Sequence, residues 1–223
     1  MSPSWTVTPD GSSVDISRLC RFDYADPTYL KIAFEAYQKW AQEPKFKDIF
    51  EKSAFILASS TAMGQSYIKR TTEALSEVKL PWERLNDATA AKNRFPVASG
   101  KLAGNFTGYW DSQAGWADAE KAIHQLRDEC IEKGVSFICG RENTVVDFEN
   151  DPTTGRIRYA HTVTGNKIEG THFVVAGRAW MLSLVSNYNS TLATGQVLGY
   201  MKLTPKETEK YKCLPSYINF STG

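Results

Sequence analysis

Leu30, Ala33, Phe34, Tyr37 and Trp40 recur at three- and four-residue intervals in "DPTYLKIAFEAYQKW". That is the spacing of one buried helix face, with the aromatics as core packing. Asp26 ahead of the run predicts an N-cap, and Pro27 the first helical position. "SAFILASS" (53–60) is an unbroken apolar run closed by serines, which predicts a buried strand. Residues 61–78 return to helical spacing with a charged outer face. "PWERLNDATAAKNRFP" predicts a short helix between Pro81 and Pro96. The Gly- and Ser-rich residues 97–115, with Tyr109 and Trp110 among them, predict a loop holding one strand.

The second half is more regular. "WADAEKAIHQLRDECIEKG" places Ala119, Ala122, Ile123, Leu126 and Cys130 on one helical face, with Gly134 as the residue after its end. "VSFICG" (135–140) follows as a predicted strand. "NTVVDFEN", "RIRYAHTV" and "THFVVAG" predict three more, divided by the turns "DPTTG" and "TGNKIEG". Ile157, Tyr159, His161 and Val163 alternate with Arg158, Ala160 and Thr162, the pattern of a half-buried antiparallel strand. "FVVAG" (173–177), apolar throughout, predicts a central strand covered on both faces. "VLGYMKL" (197–203) and "SYINFSTG" (216–223) predict strands, and Thr204, Pro205 and Glu207 a capped helix start between them. The fold class is mixed α and β: a helix–strand–meander–strand block at about 115–180, with α+β regions on both sides.

Composition narrows the function classes. The chain has 223 residues, 42% of them apolar, which indicates a globular protein. Its 26 Lys and Arg balance 25 Asp and Glu, and no basic stripe marks a nucleic-acid partner. The apolar runs are too short to span a membrane, and residues 1–11 lack the regions of a signal peptide, so a soluble cytoplasmic protein is expected. Cys20, Cys130, Cys139 and Cys213 have no metal-site spacing and are expected as free thiols. His124, His161 and His172 are scattered, with the last two placed in expected strands as packing or surface residues.

"FVVAGRAWMLSLV" (173–185) reads as a strand turning into a helix at a glycine, the kind of corner that lies against a bound dinucleotide. The G-x-G-x-x-G turn that would cradle a pyrophosphate is absent from the 223 residues. Taken alone, that argues against nucleotide binding.

Several segments, in order, resemble the central part of flavin-dependent amine oxidases of the D-amino-acid-oxidase fold. The resemblance is to the fungal fructosyl amino acid oxidases and the saccharopine-oxidase-like and sarcosine-oxidase-like enzymes. "SSVDISRLCRFDYADPTY" resembles the stretch after the family's first flavin-binding unit. "GYWDSQAGWADAEKAIHQL" resembles its Gly-Trp helix entry, and "GVSFICGRENTVVDFE" the strand pair that meets the adenine. "THFVVAGRAWMLSLV" resembles the family's "VVLAAGAWTPSLV", and the tail from Leu198 its substrate-domain strand and Thr-Pro helix.

The resemblance implies FAD as cofactor and a small amine or amino acid as substrate, oxidised at its C–N bond with oxygen as acceptor and hydrogen peroxide as product. It is also compatible with a fungal specialised-metabolite pathway and a peroxisomal location. It divides the chain into FAD-binding segments at 1–45 and 115–190 and substrate-domain segments at 46–114 and 191–223. Ser12, Ser13, Asp15 and Arg18 fall in the segment that passes the flavin, Arg18 where the fructosyl branch often has lysine. Val145 matches the position that contacts adenine, and Gly177 and Trp180 the second cofactor-facing corner. Each has a plainer reading: turn residues, a surface salt bridge for Arg18, an ordinary strand valine and core packing for Trp180. Arg178 stands where the family has its corner glycine. It is read as weakening that site, the alternative being a guanidinium that reaches a phosphate. Met181-Leu182 replaces the family's Thr-Pro helix start, which removes a cap of about 1 kcal/mol.

The family's first strand with its glycine turn and its C-terminal half have no counterpart here, so a chain truncated at both ends is expected, with open strand edges prone to association. Two functional readings follow: an FAD-dependent amine or amino-acid oxidoreductase, or a catalytically inactive remnant acting as a binding domain or not at all. An unrelated α+β binding domain is a third, disfavoured by the ordered matches. The residues of the family's substrate pocket lie mostly beyond Gly223, so the substrate is not specified.

Overall fold

The computed structural model describes residues 15–94, 106–185, 192, 194–195 and 197–221, without the side chains of Ala88, Arg178 and Ala179. The chain forms two units: the described residues of Val7–Cys130 with Leu203–Gly223, and those of Ile131–Lys202. The whole is mixed α and β, as expected.

In the larger unit, β1 (Arg18–Cys20) precedes α1 (Pro27–Gln42). Asp26 caps α1 by accepting from the Thr28 and Tyr29 amides at 2.8 and 3.0 Å. β2 (Phe50–Lys52) and β3 (Phe55–Ser59) follow, then α2 (Ala62–Glu77), capped by Thr61. β4 (Glu83–Leu85) and α3 (Ala88–Arg94) share the segment expected to be a single short helix. β5 (Thr107–Asp111) lies in the loop expected to hold one strand, β6 (Gly115–Ala117) takes the first residues of the stretch expected as a helix, and α4 (Ala119–Glu132) follows. After the smaller unit, with its strands β7 (Val145–Asn150), β8 (Ile157–Thr162) and β9 (Lys167–Glu169), the chain returns with α5 (Pro205–Tyr211) and β10 (Ser216–Asn219).

Two sheets result. One has the order β1-β6-β2, all antiparallel; the other is β10-β3-β5-β4, in which β10 runs parallel to β3. Every residue of β3 is buried because both faces are covered. Phe55 and Leu57 pack with Ile68 of α2, Tyr109 and Ala114. Ile56 and Ala58 pack with Leu85, Ala91 and Phe106 on the other side. A strand buried on both faces needs no polar alternation, which explains the unbroken "FILA". A third cluster joins Leu30 and Tyr37 of α1 to Phe22 and to Ala74 and Leu75 of α2.

The smaller unit is a meander of β7 (Val145–Asn150), β8 (Ile157–Thr162) and β9 (Lys167–Glu169). The alternation in β8 is present, but its covered face is Ala160 and Thr162, while Ile157 is exposed and Tyr159 and His161 are half-buried. Three expected strands do not form: 135–140, 171–177 and 197–203 carry no strand among the described residues. Val174, meant for a sheet interior, is 91% exposed. His172, placed in one of these segments, therefore lies in no strand. The corner after Gly177 is a 3-10 turn, Arg178–Ser183, rather than an α-helix. An apolar run supplies side chains for a strand but not the partner whose amides complete it.

Candidate functional site

The side chains of β1 alternate between a cavity and the core of the larger unit. Arg18 and Cys20 face a cavity of about 300 Å³, whereas Leu19 packs on the β3–Tyr109 core. The cavity's floor is Cys20, Ala117, Ala122 and Ile123. Trp40 and Phe46 form an aromatic wall, their rings 4.4 Å apart. Arg18, Lys45, Gln125 and Glu129 stand at its rim. The rim cations are paired: Arg18 Nε lies 3.2 Å from buried Asp15, and Lys45 lies 3.8 Å from Glu43 and 3.5 Å from Glu129. Asp15 also accepts from the Ser17 amide, and its carbonyl accepts from the Ala119 and Glu120 amides, which fixes the start of α4 against β1. Burial pushes the Cys20 thiol up to about 11, so it stays protonated and a poor nucleophile.

The second site is a buried polar cluster that no local motif announces. Arg21 donates to the Asp23 carbonyl at 2.7 Å and to its carboxylate at 3.2 Å, and lies over the Tyr24 ring at 4.4 Å. The Tyr109 hydroxyl donates to the other Asp23 oxygen. Burial opposes charge on Arg21, but Asp23 together with Tyr109 and Tyr24 outweighs it and raises the guanidinium's pKa. Burial raises Asp23 despite Arg21, and burial with the Asp23 charge raises Tyr109 well above the usual phenol. Asp111 is wholly buried. Burial raises it to about 6, and the nearby Asp23 adds to the shift while the Gln113 and Ala114 amides oppose it. Its second oxygen has no hydrogen-bond partner. The Tyr109–Asp23 bond ties the residues after β1 to β5. The signals available were the charged pair inside "CRFDY" and the aspartate closing "GYWD".

The remaining nominated residues are dispersed. Ser12 and Ser13 lie outside the described residues. Asp15 and Arg18 belong to the larger unit, and Val145, Gly177 and Trp180 to the smaller. Val145 is half-buried at the head of β7, opposite Thr162. Gly177 has φ −78° and ψ 4°, which any residue adopts, and a Cβ there would meet only ordinary contacts, the nearest at 3.4 Å. Trp180 is 75% exposed, so the core-packing alternative does not hold. Ser183 donates its hydroxyl to the Trp180 carbonyl at 2.7 Å and does not cap a helix.

A dinucleotide's diphosphate needs free amides at a glycine turn or helix start. Among the described residues the glycines at positive φ are Gly134, Gly140, Gly155 and Gly165, and none opens an α-helix. The starts of α1, α3 and α4 are capped by Asp26, Asp87 and Asp118, which are themselves anionic. Those of α2 and α5 are capped by Thr61 and Thr204, the latter in a capping box with Glu207 as expected. The described residues therefore do not fit the diphosphate of FAD. No group of three or more His, Cys, Asp or Glu among them could hold a metal, and the four cysteines are free.

The family described as DAO, FAD dependent oxidoreductase, matches residues 8–220. L-saccharopine oxidase of Schizosaccharomyces pombe is 23% identical over 215 residues, covering 90% of this chain and 49% of that protein. Amino acid oxidase fsqB of Aspergillus fumigatus is 21% identical, covering 92% of this chain and 45% of its own length. A solved fructosyl peptide oxidase superposes with a TM-score of 0.83 at 21% identity, covering 94% of this chain and 50% of that one. Amadoriase I of Aspergillus fumigatus, a fructosyl amine:oxygen oxidoreductase, gives 0.78 at 21% identity, covering 97% and 51%. The chain spans about half the length of the curated relatives it matches.

Proposed function

Because the chain belongs to the FAD dependent oxidoreductase family, we propose that it serves the oxidation of a C–N bond in a small amine or amino acid, with oxygen as acceptor and hydrogen peroxide as product. The observation that carries this reading is the family match over residues 8–220, which takes in both units. The amino acid oxidases among its relatives support the substrate class. Asp15, Arg18, Val145, Gly177 and Trp180 are assigned to the cofactor side, and the boundaries at 45, 114 and 190 to the division between cofactor and substrate segments. A cytoplasmic or peroxisomal location and a specialised-metabolite pathway belong to the same proposal. Among the described residues no helix is long and apolar enough to cross a membrane.

A second reading, a catalytically inactive relative that keeps the fold, is favoured by one observation: the described residues offer no diphosphate cradle. The visible spectrum separates the two. Purified chain incubated with FAD and freed of excess retains a yellow flavin and releases peroxide on amine addition under the first reading. Colourless protein after incubation in excess FAD removes the first and leaves the second.

A further inference from the structure

A second recess in the larger unit shares no lining residue with the cavity beside β1. It is a groove of about 570 Å³ lined by α2, Trp82 and Arg84, a size that takes a small molecule. Trp82 is half-buried and packs against both the cluster around Phe22 and the cluster around Tyr109. Its indole N–H donates to Ser76 Oγ at 2.9 Å, and Ser76 donates its own proton to the Thr72 carbonyl at 2.7 Å. The ring is thereby fixed to α2 by its polar edge. Four charged side chains line the groove with it. Lys69 and Glu73 pair across one helical turn at 3.8 Å. Glu77 on α2 and Arg84 on β4 are exposed, and their side chains have no ion pair or hydrogen bond among the described residues.

The two unpaired charges thus have opposite signs and stand on different elements, with an aromatic ring in the same groove. An anion drawn to Arg84 finds Glu73 and Glu77 in the same lining, and a cation drawn to Glu77 finds Lys69 and Arg84. An uncharged molecule leaves both charges without a partner, and a purely apolar one finds a single ring. A molecule that carries both charges and an apolar body engages all three groups. We propose that the α2–β4 groove binds a small zwitterion of the amino-acid type, its ammonium on Glu77, its carboxylate on Arg84 and its side chain on Trp82. The site is one of binding and not of reaction, and it stands without the oxidase reading.

The probe is α-methylphenylalanine, whose α-carbon has no hydrogen, so that oxidation of its C–N bond cannot consume it. The full 223-residue chain is titrated while the six tryptophan indole N–H signals are followed by NMR, that of Trp82 identified by its loss in Trp82→Phe. Binding is expected to move the Trp82 signal. Charges this exposed contribute modestly, so the N-acetyl derivative, without the ammonium, and the amide, without the carboxylate, each bind about two- to fivefold more weakly. In Glu77→Gln the penalty of acetylation disappears and that of amidation stays, and in Arg84→Gln the reverse holds. Thermal midpoints check the fold of each variant, and a folding failure in one leaves the other. Derivatives that bind as well as the probe overturn the proposal, as does either penalty persisting in the folded variant that should remove it. A Trp82 signal that stays still up to about 50 mM probe overturns it as well. None of these outcomes touches FAD retention, so the oxidase reading is decided separately by its own spectrum.

Discussion

Asp111 holds one carboxylate oxygen on the Gln113 amide at 2.8 Å, with Ala114 also donating, while its other oxygen meets no donor. Its carboxyl is raised to about 6 by burial, with Asp23 adding to the effect, against 3.8 for an ordinary aspartate. The folded state therefore holds a proton that the unfolded chain releases between pH 4 and 6. Stability contributed by that proton is complete below about pH 4 and is lost as pH rises to about 6, by about 3 kcal/mol at 1.36 kcal/mol per unit. Urea midpoints between pH 4 and 8 are expected to show this fall, and Asp111→Asn to flatten it. An unchanged slope in a folded Asn variant refutes the assignment. The half-buried Glu149, lowered by its bonds to Lys167 and then His161, acts in the opposite sense at lower pH. None of this buried chemistry was legible beforehand, because Asp23 and Tyr109 lie 86 positions apart and a hydrogen bond between them leaves no periodic trace. The Arg18–Asp15 ion pair matches the plainer salt-bridge reading of Arg18.

Helices were read well because their signals are local. Asp26-Pro27 and Thr204-Pro205 with Glu207 mark their own helix starts, and each is observed. Strands divide by whether a ladder is present: β3 is legible and is paired along both edges, whereas "VSFICG", "THFVVAG" and "VLGYMKL" form no strand among the described residues. β5 lies in the loop expected to hold one strand, whereas β6 is not legible, since Gly115 reads as loop punctuation and yet sits in a ladder. The junction of α2 with β3 is close: a Cβ added at Gly64 would come within 2.2 Å of Ser59 Oγ and 2.6 Å of its Cβ. Ser59 is wholly buried and has little room to give. Gly64→Ala is expected to lower stability by about 1–3 kcal/mol despite alanine's better helix propensity. A thermal midpoint equal to or above the parent's counts against this packing.

On the scale of the molecule, apolar side chains stay in solvent along the smaller unit. Val174 and Val197 are 91% and 100% exposed, and Met201 is 83% exposed. Exposed apolar residues in runs favour association. Val174→Lys and Val197→Lys are each expected to reduce light scattering and hydrophobic-dye binding while shifting stability by no more than about 0.5 kcal/mol. Scattering that stays at the parent's level in both variants shows that these residues are not the sticky ones.

The strand pairing of β10 also sets a clock. Ser216–Asn219 hydrogen-bond along the edge of β3, with Phe220 donating to Ala58 and Ser60 donating to Ser221. During synthesis β3 leaves the ribosome 157 residues before Ser216 does, counting from Ser59. At the usual elongation rates this is a wait of roughly 10–30 s. Through that interval β3, buried along its whole length in the fold, lacks the parallel partner of one edge. The nascent chain is thus at greatest risk of mispairing while it is still being made, and a holdase chaperone has longest to act on it then.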